Sequence, residues 1–405
     1  MSEVLSKMQD IGSVHRAEYE LGDGKADPVV IAEAPGRVCY LGEHGEPDAG
    51  LYLASAINRA IRVAVSVRKD SSLRFYAADL GERKRTTLLN LKYKREDRWA
   101  NFIKLAVHIF AGLGYPIKGL NFTVAGNIPQ QAGLASSTAI EVAAAAALKA
   151  LLKASLPDRE LPAALVRGEA DFLGRTVSPV DYLIAFNAKK DHFLLVDELT
   201  RGVEKVKSPF SRYKILLMDS RVPRIGAEEE LKQRREDIQK GLELLSRKKQ
   251  GSRLLVGNGE NRSFRDFASS DLMDSMGALP EEIRRRSLHI VEELRRVTEA
   301  EKALKKGDFQ EISRIVFHSH ESLRDLYEVS CPEIDWLVKR AQEIDGVVCS
   351  RMTGMGFGGC TYTILNEDTE EEYRRRLEDY ERIFGFHPLV YEIRPASGAR
   401  VVSKG

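Results

Sequence analysis

The sequence predicts a two-domain α+β protein. Three observations lead there. Strand-like and helix-like stretches alternate through the first half, long charged helices open the second, and the chain closes on strand, glycine-rich loop, strand, helix and strand. With 405 residues, 43% of them hydrophobic, there is material for two sizeable cores.

Each element follows from its composition. "DPVVIAEAPGRVCYLG" and "INRAIRVAVSVRK" are rich in β-branched residues and read as strands, as does "SLRFYAAD". "RWANFIKLAVHIFAGLG" carries apolar residues at helical spacing and ends on a capping glycine. "IKGLNFTVAGNIP" returns to strand, and a helix runs from Ser136 to about Ala154, ended by "SLPDREL". "KDHFLLVDE" and "YKILLMDS" are strands again. "GAEEELKQRREDIQKGLELLSRKK" and "EEIRRRSLHIVEELRRVTEAEKALKKG" are long charged helices, followed by the helix-like "CPEIDWLVKRAQEI". "GVVCSRM", "CTYTIL" and "PLVYEIRP" supply strands for an antiparallel sheet. No linker rich in Pro, Gly and Ser marks the boundary. We expect domains at 1–215 and 216–405.

The 62 basic and 60 acidic residues nearly cancel, which excludes a broad nucleic-acid-binding face. The runs Arg284–Arg286 and Arg247–Lys249 lie among glutamates and read as solvated helix faces. Cys39, Cys331, Cys349 and Cys360 are scattered, without zinc spacing or a disulfide framework. The first residues mix charges and do not read as a secretory signal, and no stretch reaches the roughly 18 apolar residues of a membrane span. No membrane association and a cytoplasmic location are the expectations.

Three segments carry chemistry. "APGRVCYLGEH", Ala34 to His44, joins an arginine, a glutamate and a histidine through a turn between strand-like pieces. "IPQQAGLASSTAIEVAAAAAL", Ile128 to Leu148, runs from a tight turn through two serines into a helix. Such a helix N-terminus can bind a phosphate, or Ser136 or Ser137 can cap it with support from Glu141. "RMTGMGFGGCTYTIL", Arg351 to Leu365, contains G-x-G-x-x-G but leads into a strand, so it is no dinucleotide fingerprint; its glycines point to close backbone approach. No G-x-x-x-x-G-K-[ST] motif occurs.

In order and spacing, these segments resemble the three signature motifs of the GHMP small-molecule kinases, in the galactokinase branch. "RWANFIK", "GLASSTAIEVA", "VSPVDYLIAF", "SHESLRDLYEVSCPEID" and "EIRPASGARV" are all similar to galactokinase sequence, and the likeness covers most of the chain from about residue 30. The resemblance implies the two-domain GHMP kinase fold: an N-terminal domain like the second domain of ribosomal protein S5 and a C-terminal ferredoxin-like domain. It also implies ATP- and Mg2+-dependent phosphoryl transfer to the anomeric hydroxyl of a sugar. Asp181 falls on the family's catalytic aspartate, and Arg37 on the arginine beside it. Ser137 and Glu169 would hold Mg2+. Gly133, Leu134, Ala135, Ser136 and Ser137 would supply donors to the ATP phosphates. Gly354, Gly356, Gly358 and Gly359 would let the second domain close on the site, with a hydroxyl contact from Thr353.

The departures bear on the substrate. Galactokinases usually read Gly-Glu-His-Thr-Asp-Tyr-Asn-Gly-Gly where this chain has "GEHGEPDAG". Glu43 and His44 remain as candidates for sugar hydroxyls, and Glu46 or Asp48 stands in for the family aspartate. Glu230 is the nearest counterpart by spacing of a sugar-contacting tyrosine. Gln131 occupies a family glycine position and would put a side chain near the nucleotide. Galactose is the first expected substrate. Galacturonate, N-acetylgalactosamine or arabinose, a uronate with Arg221 or Arg224 as counter-cation, a silent sugar and ATP sensor, and an isoprenoid or amino-acid alcohol kinase are the alternatives. A monomer or homodimer is expected.

Overall fold

The computed structural model describes residues 8, 10–22, 28–45, 48, 50–129, 132–249, 263–266 and 276–404. Glu46, Gln130 and Gln131 lie outside them.

Helix α1 (Ile11–Tyr19) leads into the long antiparallel pair β1 (Val30–Leu41) and β2 (Leu51–Val67). Strands β3 (Ser72–Ala77), β4 (Glu82–Thr87) and β5 (Leu120–Gly126) extend the sheet, with β3 and β5 parallel. β6 (His192–Asp197) and β7 (Gly202–Lys207) complete it through β2. Among the strands absent from the sequence reading are β4 and β7, "ERKRTT" and "GVEKVK", whose polar side chains suit sheet edges.

Helices α2 (Ala100–Gly112), α3 (Ser136–Leu151), α4 (Leu161–Gly168) and α5 (Val180–Asn187) cover one face of this sheet. The alanine run of α3 has a packing reason as well as helix propensity. Ala143, Ala144 and Ala147 are wholly buried where α3 lies on β1 and β2, and short side chains let the helix sit close.

The second sheet is antiparallel, in the order β11 (Leu389–Ile393), β8 (Tyr213–Asp219), β10 (Cys360–Asn366), β9 (Val347–Thr353). It packs with α6 (Ala227–Lys249), α7 (Glu281–Lys306), α8 (Phe309–Asp325), α9 (Pro332–Gln342) and α10 (Glu370–Phe384). β8 spans the expected division at 215/216 and belongs wholly to this second sheet. The last strand, β12 (Arg400–Lys404), returns to pair with β1. Both features follow from sheet pairing, which local composition does not encode.

Helix α7 joins the two halves. Ile283 and Ile290 belong to the second core, whereas Val297, Ala300 and Leu304 belong to the first. Its arginine run departs from the expected solvated face. Arg284 is paired with Glu281 on the surface, but Arg286 is buried against Asp237 of α6. A guanidinium can point inward when an acid on a neighbouring helix neutralises it. Among the described residues no helix is long and apolar enough to cross a membrane. All four cysteines are free thiols.

Candidate active site

The first segment is continuous strand through Leu41 and then turns at Glu43 and His44, ahead of β2. The register of β1 on β2 shifts between Pro35 and Arg37, a bulge that re-aims the Arg37 side chain. Gly36 allows the phosphate-loop backbone to approach, since a Cβ there would lie 2.9 Å from the Leu134 carbonyl. The Arg37 amide donates to that same carbonyl at 3.1 Å.

Arg37 and Asp181 meet as a fork. Nε and Nη2 of the arginine donate to the two carboxylate oxygens at 2.8 and 3.3 Å, and Nη1 donates to the Gly133 carbonyl at 2.5 Å. One guanidinium therefore ties the first turn of α5 to the phosphate loop. Burial works against the Arg37 charge, and Asp181 more than restores it. Asp181 is not the cap of α5; Pro179 occupies that position.

The second segment forms an open helix N-terminus. The N-cap of α3 is Ala135, left-handed at φ 59°, and no side chain caps the helix. Ser136 and Ser137 are its first two residues, so the capping alternative does not hold, and the first-turn amides are left for an anion. Gly133, at φ 76°, faces Gly354, at φ 89°; a Cβ on Gly133 would stand 3.3 Å from the Gly354 Cα. The third segment thus packs backbone to backbone on the phosphate loop. The same Cβ would lie 3.6 Å from the Arg224 guanidinium, which brings a second cation to this junction.

Beside α3 lies a cavity of about 470 Å³ lined by Trp99, Phe102, Ser136, Ser137, Ile140 and Arg175, among others. Glu169 begins a five-residue π-helical turn, Glu169–Leu173, and its carboxylate is almost fully buried. Arg175 grips it through Nε at 2.8 Å and Nη2 at 2.5 Å. The Tyr182 hydroxyl, one residue after Asp181, donates to Glu141 and stands 3.3 Å from Glu169. Burial, then the neighbouring Glu169, pushes the Glu141 carboxyl well above the usual range. Glu141 therefore faces α5 rather than the helix cap.

The expected sugar residues are dispersed. Glu43 is buried and engaged by the second domain: Arg351 donates at 2.9 Å, Thr353 at 3.1 Å, and the Gly354 amide donates as well. Burial raises its pKa, offset in part by Arg351 and Arg37. His44 is buried with its ring 4.9 Å from that of Tyr327, and its Nε2 makes no hydrogen bond with the described residues. Burial, then His289, holds it neutral. Asp48 accepts from the Phe264 amide at 2.6 Å. Glu230 is paired with Arg234 of its own helix at 2.7 Å, and 59% of its side chain is exposed.

Sequence reasoning missed Arg351, Glu293, Arg175 and Tyr182. Arg351 opens the quoted glycine-rich segment, where the glycines and Thr353 drew notice. Arg175 and Tyr182 flank the assigned acids Glu169 and Asp181 in sequence, a proximity that was the available signal.

Ser137 and Glu169 are hard oxygen donors of the kind a divalent cation takes when phosphates supply the rest of its shell. Among the described residues no cluster of three or more Asp, Glu, His or Cys side chains could hold a metal. The uncapped helix and the cavity beside it fit a nucleoside triphosphate.

Comparison with known proteins places this architecture. The GHMP kinase N-terminal domain matches residues 101–188, the GHMP kinase C-terminal domain residues 300–382, and the galactokinase galactose-binding signature residues 17–67. A Treponema pallidum protein is 40% identical over 404 residues, covering 98% of both chains. The galactokinase of Thermotoga maritima is 32% identical over 371 residues, covering 91% of this chain and 99% of that one. In structure, Lactococcus lactis galactokinase complexed with galactose superposes with a TM-score of 0.85 at 25% identity, covering 96% and 99% of the two chains. Methanococcus jannaschii mevalonate kinase shares the fold at a TM-score of 0.65 and 17% identity.

The chain belongs to the GHMP kinases. Within that family it falls in the galactokinase group, and it is a sugar kinase.

Proposed function

We propose that this protein transfers the γ-phosphoryl group of ATP to the anomeric C1 hydroxyl of galactose, with Mg2+ held by Ser137 and Glu169. The observation that carries the reading is the double grip of Arg37, on the Asp181 carboxylate and on the Gly133 carbonyl. It supports a carboxylate standing beside the phosphate loop, where an acceptor hydroxyl must lie for in-line attack.

Asp181 orients the acceptor hydroxyl and accepts its proton as the oxygen attacks. Arg37 keeps the carboxylate pointed at the loop and opposes charge building on the transferring phosphoryl. The amides of α3 from Ser136 onward, with Gly133, Leu134 and Ala135, bind phosphate oxygens. Arg224 adds a cation at the Gly133 junction. Gly354 and Gly356 carry the second-domain loop against the phosphate loop and exclude water. When bound, the magnesium ion neutralises phosphate charge. His44 Nε2, which has no hydrogen-bond partner among the described residues, is assigned to the sugar, and Glu46, Asp48 and Glu230 stand as further contacts. The Glu43 carboxylate, filled by Arg351 and the glycine loop, holds the sugar loop in place.

A coupled ADP-release assay over a panel of free sugars, with ATP and magnesium, tests this. Turnover of galactose with product phosphorylated at C1 is expected. Turnover confined to galacturonate, N-acetylgalactosamine or arabinose would replace the substrate, and saturable binding without any turnover would replace the enzyme with a sensor.

A further inference from the structure

The pairing of Arg175 with Glu169 is built into the local chain. The turn after α4 widens from α to π geometry over Glu169–Leu173 and closes at Gly174, left-handed at φ 68°. Its closing hydrogen bond runs from the Arg175 amide to the Glu169 carbonyl at 3.0 Å. The main chain thus returns residue 175 directly over residue 169, and π-turns of this kind recur at functional sites. The side chains then pair as the backbone does, fork on carboxylate, at 2.8 and 2.5 Å.

That fork uses both oxygens of Glu169. The guanidinium takes one lone pair of each oxygen, and a divalent cation that reaches Glu169 from Ser137, across the cavity that Arg175 also lines, has to displace it from that side. Arg175 also has somewhere to go. Its Nη2 lies 3.9 Å from Glu141 Oε1, its guanidinium sits over the Phe102 ring at 5.4 Å, and 45% of its side chain is exposed. Release therefore strands no buried cation, whereas Glu169 itself is almost fully buried and needs a positive partner at all times. Tyr182 cannot serve as that partner, since it is neutral and already donates to Glu141.

We infer that Arg175, which lines the nucleotide cavity, is a positioning residue that competes with the divalent cation for Glu169: it holds the carboxylate in the free enzyme and yields it as the cation binds. The inference rests on the assignment of Glu169 to the metal. Its consequence is an enzyme whose free form binds metal weakly, so that cation and nucleotide arrive together.

The test is binding of Mn2+ to the nucleotide-free, full-length enzyme, read from the free-ion signal in electron paramagnetic resonance. Arg175→Met is expected to tighten Mn2+ binding roughly tenfold, the scale of losing a charge-assisted competitor. Arg175→Lys keeps the charge but lacks the fork, and it is expected to bind Mn2+ more tightly than wild type as well. Arg175→Met with Glu169→Gln is expected to lose the gain. Arg175→Lys equal to wild type would mean that only net charge matters and would overturn the competition. A gain in Arg175→Met that survives Glu169→Gln would overturn the metal assignment itself. If Glu169→Gln weakens Mn2+ binding while neither Arg175 variant tightens it, the metal assignment stands and the competition falls.

Discussion

Arg351, wholly buried on β9, reaches across the domain junction to Glu43 at 2.9 Å and, with its other terminal nitrogen, to Glu293 of α7 at 3.2 Å. Ser319, the Gly42 amide and Arg296, at 3.0 Å, complete the shell of Glu293, and Thr353 donates to the Cys39 carbonyl at 2.9 Å. The sugar-side loop, the helix shared by both cores and the glycine loop therefore meet at one guanidinium. Removing it leaves Glu43 buried without its paired cation and Glu293 with Arg296 alone, which costs about 3–5 kcal/mol. Arg351→Met should lower the unfolding free energy by that amount, read as a lower urea midpoint at unchanged slope. Glu43→Gln, which keeps an acceptor oxygen, should cost less. An unfolding free energy for Arg351→Met within roughly 0.5 kcal/mol of wild type would show that the junction does not depend on it.

Asp181 and Arg37 are both partly exposed, at 28% and 18%, so replacing either leaves no sealed charge behind. Asp181→Asn should fold normally and bind ATP unchanged, yet lose about 10²–10⁴-fold in kcat as proton acceptance disappears. Arg37→Lys cannot reproduce the fork and should lose kcat more than ATP affinity. Steady-state kinetics with equilibrium ATP binding separates these cases; an Asp181→Asn variant with near-wild-type kcat would remove the carboxylate from the chemistry.

How far the sequence carried differs by residue type. The glycines, the helix start at Ser136 and the strand pattern of the first half were legible because they are local: a residue's own conformation or periodicity announces them. Arg37 and Asp181 were legible through motif order, although their contact spans 144 positions. What stayed hidden was pairwise. Nothing in "EIRRRS" says that Arg286 turns inward to Asp237 while Arg284 stays on the surface, and nothing in "GEHGEPD" says that Arg351 claims Glu43. β12 was likewise hidden because its partner, β1, lies at the other end of the chain.

Gly354 combines a left-handed backbone, at φ 89°, with a neighbour 3.4 Å from where its Cβ would lie, the Cα of Gly133. Gly354→Ala should cost about 1–3 kcal/mol in stability and raise the KM for ATP, because a loop that relaxes the left-handed strain moves against the phosphate loop it touches. Gly81 supplies the comparison: it is also left-handed, at φ 66°, but a Cβ there meets nothing within 4 Å. Gly81→Ala should show a strain cost and leave the KM for ATP alone. Equal KM values in the two variants would mean that the Gly133–Gly354 contact does not shape the nucleotide site.

His15 and His289 give the fold an acid limit. Both are buried, and desolvation lowers the pKa of each to about 3; Arg16 adds to the effect at His15, while at His289 nearby Glu293 opposes it and Arg296 and Arg351 reinforce it. Each ring is anchored by hydroxyls, His15 by Thr123 and Ser66 at 2.9 and 2.8 Å, His289 by Ser322 at 2.8 Å. The unfolded chain protonates near pH 6.5, well before the folded one, so stability present above that pH is lost as pH falls from 6.5 towards 3. Each histidine should contribute a slope approaching 1.4 kcal/mol per pH unit, or about 2.7 for the pair. His289→Gln lowers stability at neutral pH but should flatten this slope by one histidine's share. Urea midpoints between about pH 7.5 and pH 5 read the slope directly. Parallel lines for wild type and a His15→Asn, His289→Gln double variant would show that other groups set the acid limit.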